Sequence, residues 1–152
     1  MSVQVIDGGE VQGMLASGKS FLDTNVIVYA NDRADSAKQE RSLAVTAELI
    51  RSGRGVISTQ VLMEYAAVAI RKLGQSRAAI TRQTTLLERL EVVGITGELI
   101  RTGHQLAEEH SLSFWDGVIV AAAAAARCDR IISEDFDPGR LYAGMAVVNP
   151  YG

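Results

Sequence analysis

Short apolar runs rich in β-branched residues alternate along this chain with longer stretches in which apolar residues recur at helical spacing. In residues 37–52, for example, Leu43, Ala47 and Ile50 recur at that spacing, and Gly53 follows as a stop signal. The pattern predicts strands at 20–23, 55–58, 91–95, 130–133 and 145–148. It predicts helices at 24–30, 37–52, 59–73, 77–90, 97–110 and 114–127.

The order of these elements determines the predicted fold class. Strands that alternate with helices indicate an α/β fold with a central, mainly parallel sheet flanked by helices. In such sheets, functional sites form at the carboxyl ends of the strands. The length of 152 residues is that of one domain, which we place at residues 20–152. Residues 1–19 are rich in glycine and are predicted to be a partly ordered extension of unknown role.

Composition excludes several classes of protein. The net charge of −3 gives no global basic field, so contact with nucleic acid would need a local patch of Lys and Arg. Cys128 is the only cysteine, which rules out a disulfide within the chain and suits the reducing cytoplasm. The longest apolar run, residues 117–126, is too short for a membrane span, and no secretory signal pattern opens the sequence.

A phosphate-loop pattern, G-x-x-x-x-G-K-S, covers Gly13 to Ser20. In nucleotide-binding proteins this loop follows a strand and opens a helix at its Lys-Ser pair. Here Lys19 and Ser20 lead into a predicted strand, Phe21-Leu22-Asp23, instead. We therefore interpret the match as accidental and predict no nucleotide cofactor.

Four carboxylates lie where a shared crevice would need them: Asp23 and Asp135 follow predicted strands, and Glu64 and Asp116 lie on predicted helices. Each also has a purely structural interpretation. Asp23 can cap the next helix, Glu64 can be a solvated residue at the edge of an apolar stripe, and Asp116 fits a capping box. Asp135 can be a turn residue, since the segment EDFDPG is rich in turn formers.

The four acids together favour a metal site. Ligand sets made only of oxygen suit Mg²⁺ or Mn²⁺, and such ions can activate water for phosphodiester hydrolysis. Thr24, Asn25 and Ser133 are candidates to orient the ligands. A metal site built from histidine or cysteine has little support, because His104 and His110 lie six positions apart on a polar helix and no CxxC pattern exists.

In four segments around the candidate acids and at its end, the chain resembles the PIN-domain proteins, specifically the VapC-type toxins of type II toxin–antitoxin pairs. The resemblance is carried by FLDTNVIVYA, by GVISTQVLMEYAAVAIRKL, by LSFWDGVIVAAAAAARCDRIISEDF and by the ending YAGMAVVNPYG. It implies a PIN-like three-layer fold. It also implies that Asp23, Glu64, Asp116 and Asp135 are the metal-binding and catalytic acids, with Asp137 a weaker candidate. One departure is that twenty-two residues precede the first acid, so Met14 could be the true start.

The resemblance further implies an Mg²⁺- or Mn²⁺-dependent endoribonuclease that forms a homodimer in the cytoplasm and is inhibited by a VapB-type antitoxin. Two alternatives stay open: a catalytically silent PIN module that binds RNA or a protein, and a nucleotide-binding protein. Two local clusters of basic residues could receive an RNA substrate. These are Arg71, Lys72 and Arg77 at the end of the Glu64 helix, and Arg33, Lys38 and Arg41 after the first helix.

Overall fold

A computed structural model describes residues 8–15 and 17–152, with side chains described from Val11 onward. Five strands form one sheet: β1 (Ser20–Leu22), β2 (Gly55–Ser58), β3 (Glu91–Val93), β4 (Arg130–Ile132) and β5 (Ala146–Val148). Among the described residues seven helices surround the sheet. They are α1 (Gly8–Met14), α2 (Thr24–Ala30), α3 (Ser36–Ser52), α4 (Thr59–Arg71), α5 (Arg77–Leu87), α6 (Gly97–His110) and α7 (Phe114–Ala125).

The strand order is β3-β2-β1-β4-β5, and every pair of neighbouring strands is parallel. The prediction of an α/β fold with a parallel sheet is therefore confirmed. Strand β1 is the central strand, and all its residues are buried. Strand β2 and the last two residues of β4 are buried too. Buried parallel strands read as continuous apolar runs, which is why Phe21-Leu22 and Ile131-Ile132 were recognisable in the sequence.

The predicted elements are all present; three match at both ends, and the other ends coincide or differ by up to three residues. Strand β1 ends at Leu22, and Asp23, whose N–H still donates to the carbonyl oxygen of Ile132 at 3.1 Å, caps α2 with its side chain. Helix α7 stops at Ala125 and not at residue 127, because Arg127 adopts a left-handed conformation with φ of 59°. The predicted helix 77–90 is α5, which ends at Leu87 because the chain must turn before β3 begins at Glu91.

Helix α1 was not predicted and lies within the amino-terminal extension. Val11 and Leu15 are each only 2% exposed and belong to the main hydrophobic cluster. The helix packs against α3, so Val11 and Leu15 contribute to the core. Glycine-rich composition concealed this segment, because Gly8, Gly9 and Gly13 lower helix propensity.

The segment that matches the phosphate-loop pattern is engaged with other parts of the chain. Gly18 adopts φ of +71° beside the carboxylate of Asp129, and a Cβ at Gly18 would collide with that group. The backbone N–H of Lys19 donates to Asp129 Oδ2 at 3.0 Å, and Lys19 Nζ pairs with Glu91 Oε1 at 2.9 Å. The loop therefore contacts the carboxylate of Asp129 through its backbone, and the side chain of Lys19 pairs with the carboxylate of Glu91.

Helices α6 and α7 approach each other closely at two glycines. A Cβ on Gly103 would lie 2.6 Å from Val118 Cγ2, and a Cβ on Gly117 would collide with the carbonyl oxygen of Gly103. Close backbone approach fixes the position of α7 relative to α6. Because Asp116 directly precedes Gly117, this packing also fixes the height of Asp116 above the sheet.

Candidate active site

The strand order explains why the four acids lie at one edge of the sheet. Asp23 leaves central strand β1, Asp135 follows its neighbour β4, and Glu64 lies on α4, which begins directly after the other neighbour, β2. Helix α7 runs back before β4, so its first turn, with Asp116, is at the same carboxyl edge. This is the edge at which open α/β sheets form their sites.

Asp23 is the buried member of the group and is 6% exposed. Its Oδ1 accepts the backbone N–H of Thr24 at 2.8 Å, so the predicted helix cap is present. Its Oδ2 accepts the hydroxyl of Ser133 at 2.7 Å. Burial nonetheless raises the pKa of Asp23 from 3.8 to about 7, and the charges of Asp116 and Asp135 raise it further against these hydrogen bonds.

Asn25 links Asp23 to Asp135. Its Nδ2 lies 3.0 Å from Asp135 Oδ2, 3.0 Å from Ser133 Oγ and 3.2 Å from Asp23 Oδ2. An amide carries two N–H groups, so the two shorter contacts use both, and Asp23 is the weakest of the three acceptors. Ser133 Oγ also accepts the N–H of Asp135 at 3.0 Å, which sets the direction of the turn after β4. Asn25 and Ser133 therefore hold two like charges in one network.

Asp116 and Glu64 form the other half of the group. Both are partly buried, and burial raises the pKa of each carboxyl group. The charge of Asp135 also raises the pKa of Asp116, and the charge of Asp116 raises that of Glu64. Ser113 Oγ accepts the N–H of Asp116 at 3.1 Å, so the capping role predicted for this segment coexists with a place among the acids.

Gln60 was not recognised in the sequence and connects the two helical acids. Its Nε2 donates to Glu64 Oε1 at 2.7 Å and to the carbonyl oxygen of Trp115 at 3.1 Å. Because Trp115 precedes Asp116, this one amide ties Glu64 to the backbone beside Asp116. The i, i+4 spacing of Gln60 and Glu64 was visible in the sequence, but the contact with α7 is tertiary.

The donor atoms suit a hard divalent cation, because the four acids supply only oxygen. Two buried oxygens beside the acids, Thr24 Oγ1 and Gln60 Oε1, make no hydrogen bond within the described part of the chain. Among residues 8–15 and 17–152, however, no three His, Cys, Asp or Glu side chains are grouped tightly enough to hold an ion together. The residues therefore fit such an ion by chemistry and charge, without forming a closed cage.

Other candidates lie outside this group. Asp137 Oδ1 accepts the N–H of Gly139 at 2.8 Å, in the turn that the sequence predicted. His110 Nε2 accepts the N–H of Ala143, and the ring of His104 packs on Phe114. Cys128 is buried, as expected of a small core residue, and burial raises the pKa of its thiol to about 12.

The two basic clusters have different surroundings. Arg71, Lys72 and Arg77 are all exposed, and Lys72 lines a cleft of about 410 Å³ together with Arg33 at the carboxyl ends of α2 and α4. That cleft lies at the far ends of these helices from the acids. Lys38 and Arg41 are engaged elsewhere: Lys38 Nζ pairs with Glu134 Oε2 at 2.8 Å, and Arg41 Nε donates to the carbonyl oxygen of Pro150 at 2.7 Å.

Comparison with known proteins agrees with this architecture. A toxin–antitoxin complex from Klebsiella pneumoniae matches with a TM-score of 0.63 and 20% identity, over 88% of this chain and 98% of that one. VapBC2 from Rickettsia felis, bound to a promoter DNA fragment, matches with a TM-score of 0.60 and 18% identity, over 86% and 97%. VapC20 from Mycobacterium tuberculosis, a toxin that cleaves the sarcin-ricin loop, matches with a TM-score of 0.60 and 17% identity, over 78% and 90%.

No curated protein sequence matches the chain. None of the helices within residues 8–15 and 17–152 has the length and hydrophobicity needed to cross a bilayer. The sequence model of the PIN domain matches residues 20–143, which is most of the chain and includes all four acids. Together with the parallel sheet and the acids at its carboxyl edge, this match shows that the chain belongs to the PIN domain family.

Proposed function

We propose that this protein is a divalent-metal-dependent endoribonuclease and the toxin of a toxin–antitoxin pair. The observation that carries the proposal is the joining of Asp23, Asn25, Ser133 and Asp135 in one hydrogen-bonded network. Asp116 and Glu64 lie within electrostatic reach of that network. A concentration of like charge at a sheet edge destabilises a fold, so its presence calls for a positively charged ligand.

The residues proposed to hold Mg²⁺ or Mn²⁺ are Asp23, Glu64, Asp116 and Asp135. When bound, such an ion lowers the pKa of a coordinated water and offsets the charge that builds on the phosphate during hydrolysis. In that reaction an oxygen of water forms a bond to phosphorus and passes one proton to a base, while the bond to the leaving oxygen breaks and that oxygen takes up a proton. Asn25 and Ser133 keep Asp23 and Asp135 oriented throughout.

Asp23 has a second property that suits this chemistry. With a pKa of about 7 before any ion binds, its carboxyl group is partly protonated at neutral pH. It can therefore lose its proton when a cation arrives, so that ion binding and proton release are coupled. We assign to Thr24, whose hydroxyl lies buried without a partner in the described structure, the role of orienting a water beside Asp23.

The proposed antitoxin is of the VapB type and acts at the acid group. Four carboxylates attract an arginine side chain, which pairs with a carboxylate through two parallel hydrogen bonds. An otherwise disordered segment could supply that arginine and fold on binding. The Klebsiella and Rickettsia neighbours are toxin–antitoxin complexes, which supports a protein partner for this chain. Homodimer formation and a cytoplasmic location are further parts of the proposal.

The test is cleavage of cellular RNA by the purified chain with Mg²⁺, with Mn²⁺ and with chelator. Cleavage that needs the ion and is lost in Asp23→Asn and Asp116→Asn variants is the expected result. Sequencing of the 5′ ends of the fragments after induced expression would then identify the RNA. Tight RNA binding without cleavage under every metal condition would favour the catalytically silent PIN module instead.

A further inference from the structure

Trp115 is the only tryptophan of the chain, directly precedes Asp116 and is 64% exposed. Its backbone is fixed, because its carbonyl oxygen accepts a hydrogen bond from Gln60 Nε2 at 3.1 Å. Its ring meets Phe114 in an edge-to-face contact with the centroids 5.2 Å apart, and Phe114 in turn packs on His104 with the centroids 4.6 Å apart. The indole is thus held at its base while most of its surface stays open to solvent.

Exposed apolar residues and acids are adjacent in sequence on both helices that meet at Gln60. Met63, also 64% exposed, lies one turn beyond Gln60 on α4 and precedes Glu64 as Trp115 precedes Asp116. Each helical acid is therefore preceded by a large exposed apolar residue. Burying an exposed tryptophan is strongly favourable, so an indole left open beside a polar site indicates a partner that covers it.

Charge decides what kind of group that partner presents. Asp116, Glu64 and Asp135 repel a phosphate that is not neutralised by an ion. The part of a nucleotide that can contact the protein here without such a penalty is the uncharged base. Every base has a flat π-face, and stacking on an aromatic ring is the way proteins hold unpaired bases.

From these contacts we propose that Trp115 is a stacking platform for an unpaired base next to the scissile phosphate. This inference rests on the proposed ribonuclease function and deepens it. A base within an RNA duplex is already stacked on both faces by its neighbouring bases. Trp115 would therefore select single-stranded or looped RNA.

The single tryptophan permits a direct test, because stacking of a base quenches indole fluorescence. The measurement uses an Asp135→Asn chain with Mg²⁺, which retains Trp115 and is expected not to cleave. A short single-stranded RNA of mixed sequence is titrated in, and the same RNA annealed to its complement serves as the comparison. Binding is followed independently by fluorescence anisotropy of labelled RNA. We expect the single strand to quench Trp115 in parallel with the anisotropy change, and the duplex to quench it far less.

The kinetic test compares Trp115→Ala, Trp115→Phe and Leu43→Ala in the otherwise unmodified chain. Leu43 is 51% exposed on α3 and serves as the control for loss of an exposed apolar side chain. Loss of one base stack should raise KM by about 5- to 150-fold in Trp115→Ala. Trp115→Phe should recover much of the loss, and kcat should change less than KM. Circular dichroism verifies that each variant is folded.

Three results would overturn the stacking inference. RNA that binds and is cleaved without any change in Trp115 fluorescence would refute it while leaving the ribonuclease proposal intact. A Trp115→Ala chain with unchanged KM but an altered oligomeric state would assign this surface to a protein contact instead. Failure of the unmodified chain to bind RNA in any assay would refute the stacking and the proposed function together.

Discussion

Ser133 Oγ donates a hydrogen bond to Asp23 Oδ2 at 2.7 Å, although 110 positions separate the two residues in the chain. The contact joins the turns after β1 and β4, which are neighbouring parallel strands. It is one of the interactions that lower the pKa of Asp23 against the effect of burial. The serine therefore makes it less unfavourable for Asp23 to carry a negative charge inside the protein.

Asp23 is expected to reduce stability at neutral pH in the absence of metal. Its pKa is about 7 in the folded chain and 3.8 as the ordinary value, so between these pH values the folded state holds a proton that the unfolded state has released. Stability from this group therefore falls as pH rises from about 4 to about 7. The free energy of unfolding of an Asp23→Asn chain does not fall in this way. By pH 8 it should therefore exceed that of the unmodified chain by up to roughly 4 kcal/mol.

Denaturant unfolding in chelator at several pH values measures this difference. Asp137→Asn serves as the control, since that carboxylate lies in an exposed turn and makes a local hydrogen bond that an amide oxygen can keep. A gap between Asp23→Asn and the unmodified chain that does not change with pH would contradict the prediction.

Metal should stabilise the folded chain, and Asp116→Asn should lose most of that gain. A ligand that binds only the folded state contributes roughly 2.7 kcal/mol at a hundred times its dissociation constant. In chelator the same variant should be as stable as the unmodified chain or more so, because it removes a like charge near Asp135 and Glu64. The lost attraction to the helix dipole is smaller, at about 0.3–1 kcal/mol.

Unfolding of both chains with Mn²⁺ and with chelator measures these effects, and RNA cleavage is followed in parallel. Asparagine keeps the backbone N–H that Ser113 caps, so the cap itself is retained. A variant that is clearly less stable in chelator, yet still cleaves RNA with metal, would leave Asp116 with only a structural role in the first turn of α7.

RNA is expected to approach over local basic residues. Neutral substitution of Arg71, Lys72 and Arg77 to Gln should weaken RNA binding and flatten its dependence on salt, because each lost phosphate contact removes one counterion-release step. The control removes the same charge at Arg82, Arg89 and Arg101, on or next to α5 and α6. Binding constants at several salt concentrations distinguish the two variants. Equal salt slopes in both would assign these residues to an ordinary solvated surface.

Gly117→Ala should disturb both stability and the acid group. The new methyl group would collide with the carbonyl oxygen of Gly103 and lie 2.8 Å from Ala107 Cβ, so α7 must move away from α6. Overpacking of this kind typically costs about 1–3 kcal/mol. The displaced helix carries Asp116 with it, so cleavage should fall more than the lost stability explains.

Gly94→Ala is the matched control for that substitution, since no atom lies within 4 Å of a Cβ built there. Thermal unfolding and cleavage rates of the two variants are compared under the same conditions. Unchanged stability in Gly117→Ala would mean that the α6–α7 contact can relax without cost.

The sequence by itself determined the order of the elements from β1 onward and the parallel sheet, and it identified four candidate acids. Buried parallel strands and helix faces repeat with different periods, so local patterns such as Phe21-Leu22 and Val61-Tyr65-Val68 identify them. Asp23 was also correctly predicted to cap a helix, and Ser113 caps the helix of Asp116, because capping depends on residues only a few positions apart.

Only the tertiary structure decided how these residues meet. The raised pKa of Asp23 depends on its burial, and the Asn25–Asp135 and Gln60–Trp115 contacts join segments distant in the chain. The open face of Trp115 is equally invisible in sequence, where an aromatic residue at the start of an apolar helix predicts burial. Helix α1 was hidden for the related reason that its two buried residues are stabilised by packing against the core and not by local propensity.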